Sequence, residues 1–474
     1  MNRPYLMSHL SAAQALGAEL LPEGAEGGFS TVAIDSRKVN AGSLFIALCG
    51  IKSDGHLFLR DALQAGAAAA MVSRKGLKSA GCDLSSFAAL AEEKGAALFI
   101  VEDTLKGLQD LAAAYLNLFP RLLKIGITGS SGKTTTKEIT AEIIGKEKNV
   151  VMNSGNLNSE TGLPLSVFGV QNRHEVGIFE AGMNRKGEIA ELAAVLKPKI
   201  ALITNIGPAH IGILGNMEGI AEEKKQIFSQ FTGEETALIP EDDPFRDYLA
   251  KDVNGKVVFY GQKNLEATGK LNAVLDRGLA GTEITWEGIT ASFSLPGKHN
   301  VKNALAAAAL ANEAGISASS VRNGLSGVKG LFGRSEVLQG KTTVIRDCYN
   351  SNPDSAAEAI TFCDTLTWSG RRIYVLGSML ELGDHEEEEH RKIGLLLNKS
   401  NADKIFLFGK EMESAARVLK EKQRFYFYSD NMETLSAELE KEIHSGDLVL
   451  LKGSRGCALE QLSSIVCMEG SGVT

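Results

Sequence analysis

The sequence predicts an α/β protein of three domains: a small N-terminal α/β domain over residues 1–120, a central domain over 121–331 built on a parallel sheet with a smaller antiparallel sheet attached, and a doubly wound C-terminal domain over 332–474. Three observations carry that prediction. At about 150 residues per domain, 474 residues exceed what one hydrophobic core serves. Beyond Lys124, short apolar runs ending in glycine or polar turns alternate with helical patterns, the signature of parallel strands joined by crossover helices. Fifty glycines stand against ten prolines, an excess that costs conformational entropy unless turns, close packing or backbone contact with a ligand require it.

Taken in order, the first domain shows apolar runs at Thr31 to Ile34 and Leu44 to Leu48 around a polar Ser36-Arg37-Lys38 turn, with helical patterns from His56. In the central domain, Lys124 to Thr128, Val176 to Phe179 and Ile200 to Thr204 read as parallel strands. Residues 236–295 read as the smaller sheet, because Ile289, Ala291, Phe293 and Leu295 alternate after a Glu287-Gly288 turn as a half-buried antiparallel strand does. Strands at Arg372 to Leu376, Lys404 to Phe408, Arg424 to Tyr428 and Leu448 to Leu451, separated by helices, give the C-terminal domain a Rossmann-like pattern. The aromatic cluster Phe425 to Tyr428 is expected in sheet core. The acidic run Glu386 to Glu389 between His385 and His390 is read as a solvated helix start favoured by the helix dipole, and not as a metal cluster.

Composition narrows the function classes. With 44% hydrophobic and 23% charged residues the chain is expected to fold as a globular protein. A net charge of −8 argues against a nucleic-acid or lipid surface while leaving small anionic ligands open. No apolar stretch approaches the ~20 residues of a membrane span, and Met1 to Leu21 is too broken by polar residues for a secretory signal. The six cysteines, Cys49, Cys82, Cys348, Cys363, Cys457 and Cys467, form no CxxC pair and suit a reducing compartment. A cytoplasmic location is expected, with no nucleic acid and no membrane insertion.

The sharpest chemical signal is Gly129-Ser130-Ser131-Gly132-Lys133-Thr134-Thr135, directly after one strand and before a helix. It resembles a phosphate-binding loop: backbone N–H groups and the helix start cradle phosphates, Lys133 reaches the outer ones, and the Thr134 hydroxyl suits magnesium. The loop is shorter than the usual one, which would need glycine where Ile127 stands. Parallel strands deliver their carboxyl ends to one edge, so Glu180 and the Thr204 to His210 segment are expected beside the loop. Glu180 and His210 are candidate magnesium ligands, though imidazole is less typical of that ion than oxygen.

The pattern as a whole resembles the ATP-dependent Mur ligases. It includes the short loop, Gly155-Asn156-Leu157-Asn158 with Gly162 and Pro164, Glu180, Thr204 to His210, Pro296-Gly297-Lys298-His299-Asn300 with Asn303, and Gly333-Arg334. It continues through Asp347-Cys348-Tyr349-Asn350 with Asn352-Pro353, Leu376 to Gly383, and Lys452-Gly453-Ser454-Arg455; at the front, Asp35-Ser36-Arg37, Gly50 and Asp54-Gly55-His56 are similar to the family's UDP-sugar domain. Within the family the Asp347 to Pro353, Leu376 to Gly383 and Lys452 to Arg455 groups look like the branch that adds D-alanyl-D-alanine to UDP-MurNAc-tripeptide.

The resemblance implies an enzyme that phosphorylates a peptide carboxylate with ATP and lets an amine attack the acyl phosphate, its C-terminal domain closing over ATP and taking the dipeptide. By the same resemblance, Lys133 stabilises the transferring phosphoryl group, Thr134 holds one Mg2+, and Glu180 and His210 hold a second. Gly129 to Thr135 bind ATP, Asn300 and Asn303 read adenine, Asp347 the ribose, and Arg334 the phosphates. Ser36, Arg37, Asp54, Gly55, His56, Asn156 and Asn158 are implied for the UDP-peptide, and Tyr349, Asn350 and Asn352 for the dipeptide. A carbamylated lysine is implied at Lys224, with Lys225 and Gln226 leaving the register open, and a monomer is expected. The chain departs from the family pattern at Ser131, Cys348 and Ser378, where asparagine, serine and aspartate are usual. Three other readings stay open: the sibling ligase that adds the third amino acid, a P-loop ATPase without ligase chemistry, and a non-catalytic UDP-sugar binder.

Overall fold

The computed structural model describes residues 5–50 and 53–467. Its N-terminal sheet runs in the order Glu19–Leu21, Ala97–Val101, Ala69–Ser73, Ser43–Ile46, Thr31–Ala33, parallel except for the antiparallel edge strand Glu19–Leu21. The two strands expected here are present, and a short 3-10 turn at Ser36–Lys38 lies between them. Ala69–Ser73 and Ala97–Val101 form the middle of the sheet. They escape sequence reading because they are buried on both faces, and their alanine-rich runs lack period-two alternation.

The central sheet has six parallel strands in the order Lys256–Tyr260, Thr236–Pro240, Ile200–Ile203, Leu123–Thr128, Val176–Glu180, Val150–Met152. This corrects the expectation for residues 236–295. Only Leu271–Asp276, Thr282–Trp286 and Ile289–Phe293 make the separate antiparallel sheet, whereas the two preceding strands extend the parallel one. The cause is burial: Ala237, Leu238 and Ile239 are fully covered, so that strand shows a continuous apolar run that periodicity cannot place in either sheet. On one face lie the helices Lys133–Ile144 and Lys298–Glu313, whose alanines from Ala304 to Ala311 let it pack closely. Gly324 rests on the backbone of Ile143, where a Cβ would meet a heavy atom at 2.3 Å.

The C-terminal sheet runs Glu336–Gln339, Thr343–Asp347, Leu448–Lys452, Arg372–Gly377, Lys404–Phe408, Phe427–Ser429, parallel after its first, antiparallel strand. The strand expected at Arg424 to Tyr428 begins later. The chain turns left-handed at Gln423 (φ 55°), and the Arg424 guanidinium donates to the carbonyls of Ser400 and Ala402, which holds residues 424–426 off the ladder. Phe425 is accordingly 50% exposed, with the Lys404 ammonium 3.8 Å from its ring centre, and does not belong to the core expected for that cluster. Glu386 to Glu389 do open a helix, and His390 is buried, its Nδ1 on Glu386 O (2.7 Å) and its Nε2 accepting from Met379 N (3.0 Å). Among the described residues no helix is long and apolar enough to cross a membrane, and the six cysteines are unpaired.

Candidate active site

The Leu123–Thr128 strand runs into the loop 129–132, and the helix Lys133–Ile144 leaves it. Two glycines in this loop are sterically required. Gly129 (φ 146°) presses on Thr204, whose Oγ1 would stand 1.8 Å from a Cβ, and Gly132 (φ 79°) presses on Asn303, whose Oδ1 would stand 2.3 Å away. Neighbouring strand ends stitch the loop in place. Ser130 N donates to Asn205 O (3.0 Å), Ser131 N to Asn205 Oδ1 (2.8 Å), and Thr204 Oγ1 to Ser131 O (2.6 Å). Thr135 is buried in the first helical turn.

Lys133 Nζ folds back onto Gly129 O (2.8 Å) and Ser130 O (3.4 Å). Burial pushes its pKa below the usual lysine range, with the Arg334 charge adding to the effect against the attraction of Glu180 and Glu381. Thr134 Oγ1 donates to Glu180 Oε2 (2.7 Å) and accepts from Arg334 Nη2 (3.0 Å). The other carboxylate oxygen, Glu180 Oε1, accepts from Asn158 Nδ2 (2.6 Å). Asn153, which sequence reading missed, clamps the Glu180 backbone on both sides through 2.9 and 3.0 Å bonds, and Lys137 Nζ donates to Asn153 O (2.6 Å). Asn153 follows the Val150–Met152 strand, so the shared carboxyl edge of the sheet was the available signal for it.

His210 has left-handed backbone (φ 65°) ahead of the short helix Ile211–Leu214. Its Nδ1 lies 3.1 Å from Glu381 Oε2, an ion-pair separation without hydrogen-bond alignment. The helix Met217–Lys225 turns Lys224 inward, where Nζ donates to Gly129 O (2.9 Å), the same carbonyl that Lys133 uses. Burial, then the Lys133 charge, pushes the Lys224 pKa well below its usual value. Lys225 points outward to the carbonyls of Tyr248 and Lys251, its ammonium 4.9 Å from the Tyr248 ring centre.

Asn300 and Asn303 are buried in the first turns of Lys298–Glu313, with Asn300 Nδ2 on Pro296 O (2.8 Å) and Asn303 Oδ1 accepting from Thr136 Oγ1 (3.3 Å). Asp347 accepts from Ser335 N (3.0 Å) and pairs with Lys452 (2.8 Å). Burial works to raise its pKa, but Lys452 outweighs that and holds the carboxyl below its usual range. The Arg334 guanidinium stacks 4.0 Å from the Tyr349 ring centre. Asn352 Nδ2 reaches the loop at Ser131 Oγ (2.8 Å), whereas Asn350 Oδ1 stays local on Ser351 N (2.9 Å). Asn156 lies exposed in the loop before Asn158.

The first-domain motif residues bond locally. Asp35 caps and pairs with Arg37, whose side chain is 87% exposed, next to the partly exposed Ser36. Asp54 accepts from His56 N (2.9 Å) and contacts His56 Nδ1 (2.7 Å), while buried His56 Nε2 accepts from Ser73 N (3.0 Å). Gly55 lies against Leu48 N, which a Cβ would approach to 2.8 Å. Cys49, Asp54 and His56 are close enough to suggest a metal cluster. With Nε2 accepting from an amide and Nδ1 holding its proton toward Asp54, however, His56 has no lone pair free for a metal.

The donor set at the loop fits magnesium. Glu180 is buried, and among the described residues it is held by the neutral donors Thr134 and Asn158 without an ion pair, an anionic oxygen site that a hard cation suits. A phosphate loop, a buried carboxylate, half-buried Lys133, buried Lys224 and an arginine from another domain together supply what phosphoryl transfer requires.

Three family models match along the chain: the Mur ligase family catalytic domain over residues 29–116, the Mur ligase middle domain over 127–311, and the Mur ligase glutamate ligase domain over 333–455. The chain is 44% identical over 444 residues to the UDP-N-acetylmuramoyl-tripeptide–D-alanyl-D-alanine ligase of Treponema pallidum, covering 93% of this chain and 95% of that one. It is similar to a crystal structure of MurF from Acinetobacter baumannii, with a TM-score of 0.84, 25% identity, and coverage of 98% and 99% of the two chains. It is also similar to the MurF ligase of Thermotoga maritima in complex with ADP, with a TM-score of 0.78, 27% identity, and coverage of 92% and 96%.

Proposed function

The chain belongs to the Mur ligase family, and on that premise we propose that it joins D-alanyl-D-alanine to UDP-N-acetylmuramoyl-tripeptide with ATP, through an acyl phosphate. The observation that carries this reading is the 44% identity to a ligase of that name across almost the whole chain. In the first half-reaction the peptide carboxylate takes the γ-phosphoryl group of ATP and ADP leaves. In the second the neutral amine of the dipeptide attacks the acyl carbon, the amide forms and inorganic phosphate departs.

This chain's residues divide the work as follows. The amides of Gly129 to Gly132 and the start of the helix at Lys133 hold the phosphates. Lys133 exchanges Gly129 O for the transferring group, where its charge counts most in the transition state. Arg334, already on Thr134, adds positive charge from the third domain, and Asn300, Asn303 and Asp347 hold the nucleoside. Thr134 would hold one magnesium ion and Glu180 with His210 a second, and these would supply positive charge to offset that of the phosphate and carboxylate groups. Burial, then the Lys133 charge, disfavours the ammonium form of Lys224, which works in the direction carbamylation needs, and a carbamate there would be an anion that suits the same cation. Partly exposed Ser36, exposed Arg37, the Asp54-Gly55-His56 turn and Asn156 take the UDP-peptide, and Tyr349, Asn350 and Asn352 face the dipeptide. Asn158 serves both the UDP-peptide and Glu180. The functional division is 1–120 for UDP-sugar, 121–331 for ATP, and 332–474 for closure and dipeptide. The enzyme works as a monomer in the cytoplasm.

The test is to incubate the protein with ATP, Mg2+, D-Ala-D-Ala and either the lysine or the diaminopimelate UDP-tripeptide, and to weigh the product. A pentapeptide product with ADP and phosphate, dependent on both substrates, is expected, and the better tripeptide identifies the third residue. AMP and pyrophosphate, or hydrolysis without a peptide product, overturns the reading.

A further inference from the structure

A carboxylate from the third domain stands against the histidine assigned above to the metal site of the second. Glu381 follows the carboxyl end of the Arg372–Gly377 strand, and His210 follows that of Ile200–Ile203. Both are non-glycine residues held in left-handed backbone, at φ 69° and 65°, a conformation that costs free energy and persists only where its surroundings enforce it. Two residues beyond each lies a glycine, Gly383 and Gly212, and these touch backbone to backbone: a Cβ on Gly212 would stand 2.6 Å from Gly383 N. This approach brings Glu381 Oε2 to 3.1 Å from His210 Nδ1. Among the described residues, His210 Nε2 has no hydrogen-bond partner.

We propose that Glu381 is the positioning residue for His210, accepting from Nδ1–H when the third domain is seated and leaving Nε2 as the ligating nitrogen. A modest ring rotation aligns the pair, which already stands at contact distance. Carboxylates on the far nitrogen of a ligating histidine fix its tautomer and ring orientation in this way. The metal site is therefore complete only after domain closure, because one of its supports belongs to the closing domain. The inference rests on His210 being a metal ligand.

The test is manganese binding to the enzyme with ADP, followed by the loss of the free Mn2+ electron paramagnetic resonance signal, alongside steady-state kinetics. Glu381→Ala is expected to weaken the second Mn2+ equivalent by about 10- to 100-fold and to lower kcat similarly, with KM for the UDP-tripeptide within about twofold. Glu381→Gln keeps an acceptor and is expected to restore Mn2+ binding to within about threefold of the unaltered protein. Unaltered Mn2+ affinity in Glu381→Ala, or a Glu381→Gln variant as impaired as the alanine one, overturns the proposal. His210→Ala separates the two readings. If it leaves Mn2+ binding intact, the ligand assignment fails; if it loses the second equivalent while Glu381→Ala keeps it, only the positioning role fails.

Discussion

The phosphate loop and the Asp54-Gly55-His56 turn look alike in the sequence, glycine set among polar residues in both, yet their side chains are used in opposite ways. Around the loop the partners come from far along the chain: Thr134 meets Glu180 46 residues away, Lys224 meets Gly129 across 95, and Arg334 meets Thr134 across 200. In the first domain Asp35 meets Arg37 and Asp54 meets His56, each two residues away. Short-range bonds of that kind hold a turn, as Asx motifs do. Bonds of long range join strands and domains distant in the chain, and here several of them gather on the phosphate loop. The polar groups of the loop are thus tied to distant strands and domains, whereas the first-domain motif spends much of its polarity on its own conformation.

Substitutions can break or sharpen that contrast. The largest effect is expected for Lys133→Ala, which removes a group acting on transition-state charge: kcat/KM falls about a thousandfold while the melting temperature holds, checked by coupled ADP release and thermal unfolding. Turnover near that of the unaltered protein would remove the loop from the reaction centre. Next comes Lys224→Ala, with a loss of about a hundredfold that short carboxylates partly restore and, in the unaltered enzyme, a dependence on bicarbonate. Lys225→Ala keeps nearly full activity, because its ammonium faces Tyr248 and Lys251; the reverse pattern would shift the register by one.

For the first domain the loss is expected in stability. His56→Ala leaves Ser73 N without its acceptor in a buried place and costs about 1–3 kcal/mol, read as a lowered melting temperature. A variant with unchanged melting but a large rise in KM would make His56 a ligand contact first. Arg37→Ala, exposed, leaves stability unchanged and raises KM for the UDP-peptide by about tenfold or less.

The smallest effect concerns His9, whose ring is buried edge-on to Phe99 with neither nitrogen in a well-formed hydrogen bond. Burial lowers its pKa from 6.5 despite some help from the Glu26 backbone. The unfolded chain therefore binds a proton that the folded ring resists, and stability is lost as pH falls from 6.5 toward the lowered folded value. Melting should drop by about three degrees less between pH 7.5 and 5.5 in His9→Leu than in the unaltered protein. Equal drops would clear His9 of that role.

Much of this architecture was legible because its signals are local. The loop, the strands flanking it and the shared edge that brings Glu180 to Thr134 follow from spacing and period. The strands Thr236–Pro240 and Lys256–Tyr260 read in the sequence as part of the smaller sheet but extend the parallel one, since strands with much of both faces covered carry no alternation to say which neighbours they join. The partners of known motif residues were least legible. Asn153 on Glu180, Asn352 on Ser131 and Glu381 beside His210 depend on how strand ends and domains meet, and no local pattern encodes that. Lys224 and Lys225 differ only in which side of one helix they occupy, so register was ambiguous until the helix was placed.

The backbone contact between Gly212 and Gly383 is one point at which the third domain rests against the second. It is made of uncharged backbone atoms, so dissolved salt scarcely alters it, whereas the adjoining His210 and Glu381 pair, with Glu381's side chain 56% exposed, is open to ionic screening. The stop and the alignment beside it therefore answer to different variables. Raising ionic strength should loosen the fit of the imidazole without moving the point at which the two domains meet, and a single methyl added at either glycine should do the converse, holding the jaws apart while both domains stay intact.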